Sequence, residues 1–468
     1  MAEIRAFRAV RPAAAYAKEI AALPYDVYDE AEARRAVEGK PLSFLCIDRA
    51  ETQMPEGTDL YSPAVYEKAA ELFQKEEQEG YFEQEKTDCY YVYSLCMDGR
   101  VQTGLVACTA VSDYLNGICK KHENTVVKKE QDRIRHVEAL KAQTGPIFLA
   151  YHADPEISVW VKEAMQASPL YDFTADDSVR HTVWRISDAV RIREITARFA
   201  QHVPFTYIAD GHHRAASAVK AALRMRENDA AQGKEAVREK VSAQEAAAAR
   251  EKDEAAAKPA AERTAGKMKQ LSASSHEYDY FLSVLFPDDE LEIMDYNRVV
   301  KDLNGLSADA FLERTSEMFE IRRLREEEMN EGEGIPLEKP QEKGVLHVYL
   351  AEGHAWYAFR LRAEERKKRE NDPVQRLDVS ALQELLLTPV LGIGDPRTDE
   401  RIAFVGGIRG IKILREKADA CGGVAFSLHP TSIGELMAVA DAGRLMPPKS
   451  TWFEPKLRSG LFIHKMEE

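Results

Sequence analysis

Apolar and polar positions alternate between two textures along the chain, and the change of texture marks the elements. Tyr90–Met97 (YYVYSLCM) is a continuous apolar run closed by Asp98-Gly99, which predicts a strand entering a tight turn, with Val101–Thr109 as its hairpin partner. Leu42–Ile47 (LSFLCI) has the same look and is expected to be a buried strand. Ser62–Gln78 opens on Ser-Pro and repeats apolar residues at helical spacing, so a helix is expected there. Further along, helices are expected over 124–142, 157–167 and 189–200, and strands over 147–151, 181–186, 206–208 and 280–286.

The second part of the chain continues this mixture. Val299–Arg322 reads as helix-rich, 345–349 and 356–361 as two strands, and Arg362–Asn371 as a solvated charge run. A helix is expected over 378–387, a strand over 402–405, a helix over 411–418, a strand over 422–428 and a helix over 433–442. One stretch departs from both textures. Asn228–Gln270 is rich in Ala, Glu, Lys and Arg and nearly devoid of large apolar residues, so it is expected to be an exposed insertion that contributes no core. The fold class expected is α+β, with an N-terminal catalytic region over 1–300 and a C-terminal region over 301–468 whose tail, 446–461, returns to the site.

Composition narrows the function. The 468 residues are enough for an ordinary core without disulfides, and the six cysteines show neither C-x-x-C pairs nor zinc-site spacing. No uncharged apolar run reaches about 18 residues and no export signal is visible, so no membrane is expected and a cytoplasmic location is. A net charge of -15 disfavours nucleic acid as a partner, although a local basic cluster still suits a phosphate.

The densest reactive group is Asp210-Gly211-His212-His213-Arg214, where the apolar run ending at Ile208 turns into a helical composition. A strand-to-helix corner presents unpaired N–H groups to an anion, Gly211 lets the anion approach, and Arg214 adds a two-pronged contact. Asp210 is the candidate metal ligand, and His212 and His213 are candidates for donating to a phosphoryl group or exchanging a proton. A zinc site on the two histidines is disfavoured, because adjacent helical side chains diverge and no third ligand lies nearby in sequence. In the tail, Lys449, Ser450, Thr451, Lys456 and Ser459 form a second basic and hydroxylic cluster without Walker A spacing, and either line a phosphate loop or pack the C-terminus through Trp452, Phe453 and Leu457. Gly406-Gly407-Ile408-Arg409-Gly410 is a weak candidate for a nucleotide-binding turn beside the default of a plain strand-to-helix loop.

IADGHHRAASAV at 208–219, KHENTVVKKEQDR at 121–133 and MPPKSTWFEPKLRSGL at 446–461 together resemble the DUF1015 family. ALPYDV at 22–27, HTVWRISD at 181–188 and DYNRVV at 295–300 are further landmarks. Asp-Gly-His-His-Arg is also similar to the signature of free-serine kinases with a ParB/sulfiredoxin-like fold. The resemblance implies an ATP-dependent kinase that phosphorylates a small hydroxyl metabolite, L-serine first, with Mg²⁺. It places Asp210 at the metal and substrate hydroxyl and Gly211, His212, His213 and Arg214 around the phosphates. Glu123 would be the base. The family's His-Arg pair is replaced here by Asn297-Arg298. The alternative is a nucleotide-binding or nucleotide-hydrolysing protein with a sensing role; a homo-oligomer is left open.

Overall fold

The computed structural model describes residues 1–125, 127–231, 276–325 and 339–467. Within them the chain is mixed α+β, built around one large mixed sheet and a second, smaller one. The large sheet has nine strands. Its path runs Cys119–Lys120, Thr206–Asp210, Ile147–Tyr151, Tyr280–Pro287, Arg100–Ala110, Tyr90–Met97, Arg180–Ile186 and Tyr171–Thr174, with Ile4–Arg5 added against Arg100–Ala110. Two pairs are parallel, Cys119–Lys120 with Thr206–Asp210 and Ile147–Tyr151 with Tyr280–Pro287. The others are antiparallel.

Both faces of this sheet are covered, which explains why its strands read as unbroken apolar runs. Tyr91, Tyr93 and Leu95 enter one core cluster and Tyr90 and Val92 enter the other; Phe148 and Ala150 likewise oppose Ile147, Leu149 and Tyr151. The second cluster is completed by helices Pro155–Ala164 and Ala189–His202 and by the helix over 212–231. Asp154 and Asp188 start the first two by accepting backbone N–H bonds with their side chains, which satisfies donors the helix cannot.

The smaller sheet has six strands in the order Phe319–Arg323, Ala355–Leu361, Val345–Leu350, Val424–Leu428, Tyr296–Val300 and Ile402–Gly406. All its pairs are antiparallel. Among the described residues no helix is long and apolar enough to cross a membrane.

Several expected elements are corrected. Leu42–Ile47 is no strand; Leu45–Asp48 is a fully buried helical turn packed with Phe73 and Phe82, a case in which apolarity on every side erases the period that separates helix from strand. Val299–Arg322 divides into the end of strand Tyr296–Val300, helix Ala308–Thr315 and strand Phe319–Arg323. The charge run at 362–371 contains helix Ala363–Arg369, and Arg369 is buried. The insertion expected over 228–270 lies outside the described residues except for 228–231, which continue a helix.

Candidate functional site

The site is built where strand Thr206–Asp210 leaves the sheet. Thr206 through Ala209 are buried, and Asp210 emerges with its side chain 32% exposed. Gly211 follows at φ +92, a conformation that side chains resist, and a Cβ there would lie 3.1 Å from the Arg214 guanidinium. The glycine therefore both makes the turn and lets Arg214 fold back over it. The first helical bond, Ala215 N–H to Gly211 C=O at 2.9 Å, leaves the N–H groups of His212, His213 and Arg214 without intrahelical acceptors.

Cations converge on this corner. Asp210 Oδ1 accepts the Gly211 N–H at 2.9 Å, while Oδ2 faces Lys456 Nζ at 3.4 Å and Arg214 Nη2 at 3.7 Å. Burial opposes the Asp210 charge, but Lys456 and Arg214 outweigh it and hold the carboxyl well below its usual range. Arg214 Nη1 donates to the Pro146 carbonyl at 2.6 Å, which aims the guanidinium. Arg214 Nε, His213 Nδ1, His122 Nδ1 and the Tyr25 hydroxyl are buried without partners. Each such orphan costs roughly 1–3 kcal/mol, so their gathering at one corner is the mark of a place made for a ligand.

The loop carrying His122 and Glu123 arrives through sheet topology. Cys119 and Lys120 pair in parallel with Thr206 and Tyr207, so both chains leave the sheet at the same end. His122 N–H then reaches His212 Nε2 at 3.5 Å, and the two rings meet edge to face with centroids 4.5 Å apart. Ligand atoms of His122, Glu123 and His212 lie within 4.8 Å of one another. Burial drives the His122 ring down to about 4 and His212 well below the usual imidazole value, so both are neutral at pH 7. Burial pushes Glu123 up, and Lys449 draws it partly back. Burial pushes the half-buried His213 ring down, with the charges of Lys129, Asp26, Lys449 and Glu130 acting on it as well. A second histidine, His122, is thus brought to His212 from 90 residues away in sequence.

The tail is divided between the two roles expected of it. Trp452–Phe453 pairs with Ile293–Met294, which positions Lys456 on Asp210. Ser459 is buried and pairs with Ala22 through its backbone, with its hydroxyl beside Gly145 near Arg214. Lys449 stands over the Tyr296 ring and toward Glu123. Ser450 instead closes its own loop by donating to Pro447 C=O at 2.6 Å. Thr451, half-buried just before Trp452, has no hydrogen bond within the corner. Gly406 and Gly407 are small for packing: Cβ atoms there would stand 2.8 Å from the Trp452 ring and 2.2 Å from Asp295 Oδ1. Packing alone accounts for the first two glycines of that run.

A cavity adjoins the corner, bounded by Tyr25, Asp48, Arg133, His136, Arg214 and Ser459. Arg133 stacks on Tyr25 at 4.0 Å and pairs with Asp132 at 2.8 Å; Asp48 accepts from Thr144 at 3.1 Å. Asp48, Arg133, His136 and His122 were not singled out from the sequence. Arg133 and His136 sit at i, i+3 on helix Val127–Leu140, and a buried arginine and histidine at that spacing were the available signal. His181, by contrast, is structural, held between Tyr93 and the Arg458 guanidinium.

Among solved structures, a free serine kinase in complex with AMP is 14% identical and aligns over 76% of this chain and 91% of its own, with a TM-score of 0.30. A conserved hypothetical protein from Pyrococcus furiosus is 14% identical over 78% and 95%, TM-score 0.31. SbnI with a C-terminal truncation, from Staphylococcus aureus, is 9% identical over 76% and 85%, TM-score 0.32. No curated protein matches. The family model described as a protein of unknown function, DUF1015, matches residues 4–246 and 244–380, well over half of the sequence, and the chain therefore belongs to the DUF1015 family.

Proposed function

We propose that the Asp210 corner binds ATP and transfers its terminal phosphoryl group to a small free hydroxyl metabolite, L-serine first, giving O-phospho-L-serine and ADP. One observation carries the reading: Arg214 and Lys456 face a single carboxylate at the start of a helix, on a chain of net charge -15. Such a cradle suits phosphate oxygens, and phosphoryl transfer depends on positioned charge more than on a covalent nucleophile. In this reading the fold core is ParB/sulfiredoxin-like, region 1–300 carries the corner, region 301–468 delivers the tail, and the protein works in the cytoplasm.

The residues take distinct parts. The backbone at Gly211, His212 and His213, with Arg214 and Lys456, holds the phosphates. The acceptor hydroxyl attacks the terminal phosphorus, the bond to the bridging oxygen breaks with ADP leaving, and Glu123 takes the hydroxyl proton. Asp210 fits Mg²⁺ as a single carboxylate ligand: it is partly exposed and Oδ1 has one contact, the Gly211 N–H, while Mg²⁺ would take its remaining ligands from water and phosphate. Bound there, the ion would neutralise phosphate charge. The adjoining cavity offers a cation at Arg133 and a carboxylate at Asp48, which match the two charges of a free amino acid.

The test is phosphorus NMR of the protein with ATP, Mg²⁺ and L-serine, with ADP and pyrophosphate as further donors. O-Phosphoserine formed by the native protein and reduced at least ~100-fold in Asp210→Ala supports the kinase. Nucleotide consumed with no phosphorylated acceptor supports hydrolysis, and no turnover with any donor supports a sensing role; either would replace the proposal.

A further inference from the structure

We infer that His122, Glu123 and His212 form a binding site for a first-row transition-metal dication of the Zn²⁺ class, separate from the Mg²⁺ that accompanies a nucleotide. Two imidazoles and one carboxylate are a borderline-soft donor set that favours Zn²⁺, Co²⁺, Mn²⁺ or Fe²⁺ over Mg²⁺, which prefers oxygen. Three protein ligands also leave a position open, the pattern of a working site rather than a structural one.

The geometry supports this in three ways. The candidate ligand atoms lie within 4.8 Å of one another, and a tetrahedral ion with bonds of about 2.1 Å needs them ~3.4 Å apart. The remaining difference is at most ~1.4 Å, a distance on the scale of side-chain rotation. Second, His122 is 2% exposed and its Nδ1 has no hydrogen-bond partner. A buried imidazole nitrogen without a partner is a lone pair available to an ion. Third, His212 is buried and its contact to the His122 N–H is long, at 3.5 Å, so an ion displaces little. Glu123 is the half-buried member and supplies the negative charge that two neutral rings lack.

Asp210 and Lys449 are the charged neighbours of this cluster, so an ion here would sit at the edge of the phosphate cradle. Its place there, and not its existence, rests on the phosphotransfer reading. If that reading holds, Glu123 would hold the ion through one carboxylate oxygen and keep the other to take the acceptor proton.

The experiment uses the full chain, free of any histidine tag and of nucleotide, titrated with Co²⁺ alone. Expected are visible d–d absorption saturating at one Co²⁺ per chain, a rise in Tm with added Co²⁺, and retention of the ion against a hundredfold excess of Mg²⁺. Glu123→Gln, at a half-buried position where folding is spared, should weaken Co²⁺ at least tenfold, and His122→Ala and His212→Ala should abolish it, while His213→Ala binds as the native chain does. A native protein that binds no Co²⁺, or binds it equally well in Glu123→Gln and both histidine variants, would overturn the site. Because no ATP or serine is present, a failed kinase assay leaves this result unaffected.

Discussion

Arg214 illustrates how much one side chain does at this corner. Its guanidinium lies across Gly211, donates to Pro146, faces Asp210 and still has a buried Nε without a partner. A lysine keeps the charge but loses the planar fork. Arg214→Lys should therefore weaken ADP binding about tenfold, or ~1.4 kcal/mol, by calorimetry; unchanged affinity would remove Arg214 from the phosphate site. A second residue tests burial alone. Glu76, on helix Pro63–Gln78, is 5% exposed, and burial followed by Glu79 raises its carboxyl from 4.5 to about 7. A folded value above the unfolded one contributes stability that is present below pH 4.5 and lost as pH rises through 7. Glu76→Gln lacks that titration. In urea unfolding the variant should gain on the native chain between these two pH values, levelling above them at a few kcal/mol at most. A difference independent of pH would count against a buried, protonated Glu76.

At the scale of elements, the short strand Trp452–Phe453 connects the smaller sheet to the corner. Trp452 packs on Gly406, its ring lies 4.7 Å from Lys456 Nζ, and Lys456 reaches Asp210. Gly406→Ala would place a methyl 2.8 Å from that ring and force it aside. The expected cost is about 1–3 kcal/mol of stability in denaturant, accompanied by weaker ADP binding, although Gly406 has no contact with Asp210. Loss of stability with full affinity would show that Lys456 holds its place without Trp452. The elements themselves were largely legible. Tyr90–Met97, Ile147–Tyr151 and Pro63–Gln78 follow from runs, turn residues and the Ser-Pro start. Leu45–Asp48 was not legible, because four consecutive buried residues carry no period to distinguish a helical turn from a strand.

At the scale of the whole molecule, local and long-range information separate cleanly. The amino-acid order by itself determined the Asp210–Arg214 corner: a strand ending in Asp-Gly before an alanine-rich helix has few other ways to turn, and its exposed N–H groups follow from backbone geometry. It likewise determined the mixed α+β texture and the presence of a basic, hydroxyl-rich tail. Only the tertiary structure decided which of those tail groups meet the corner, since Lys456 and Asp210 are 246 residues apart and Ser450 is closed into its own loop. It also decided the joining of His122 and Glu123 to His212, which depends on two short strands pairing in parallel rather than antiparallel. Periodicity and turn chemistry act over a few residues through backbone sterics, whereas strand partnership is set by the burial of both sheet faces at once, a property of the assembled core that no local stretch of sequence contains.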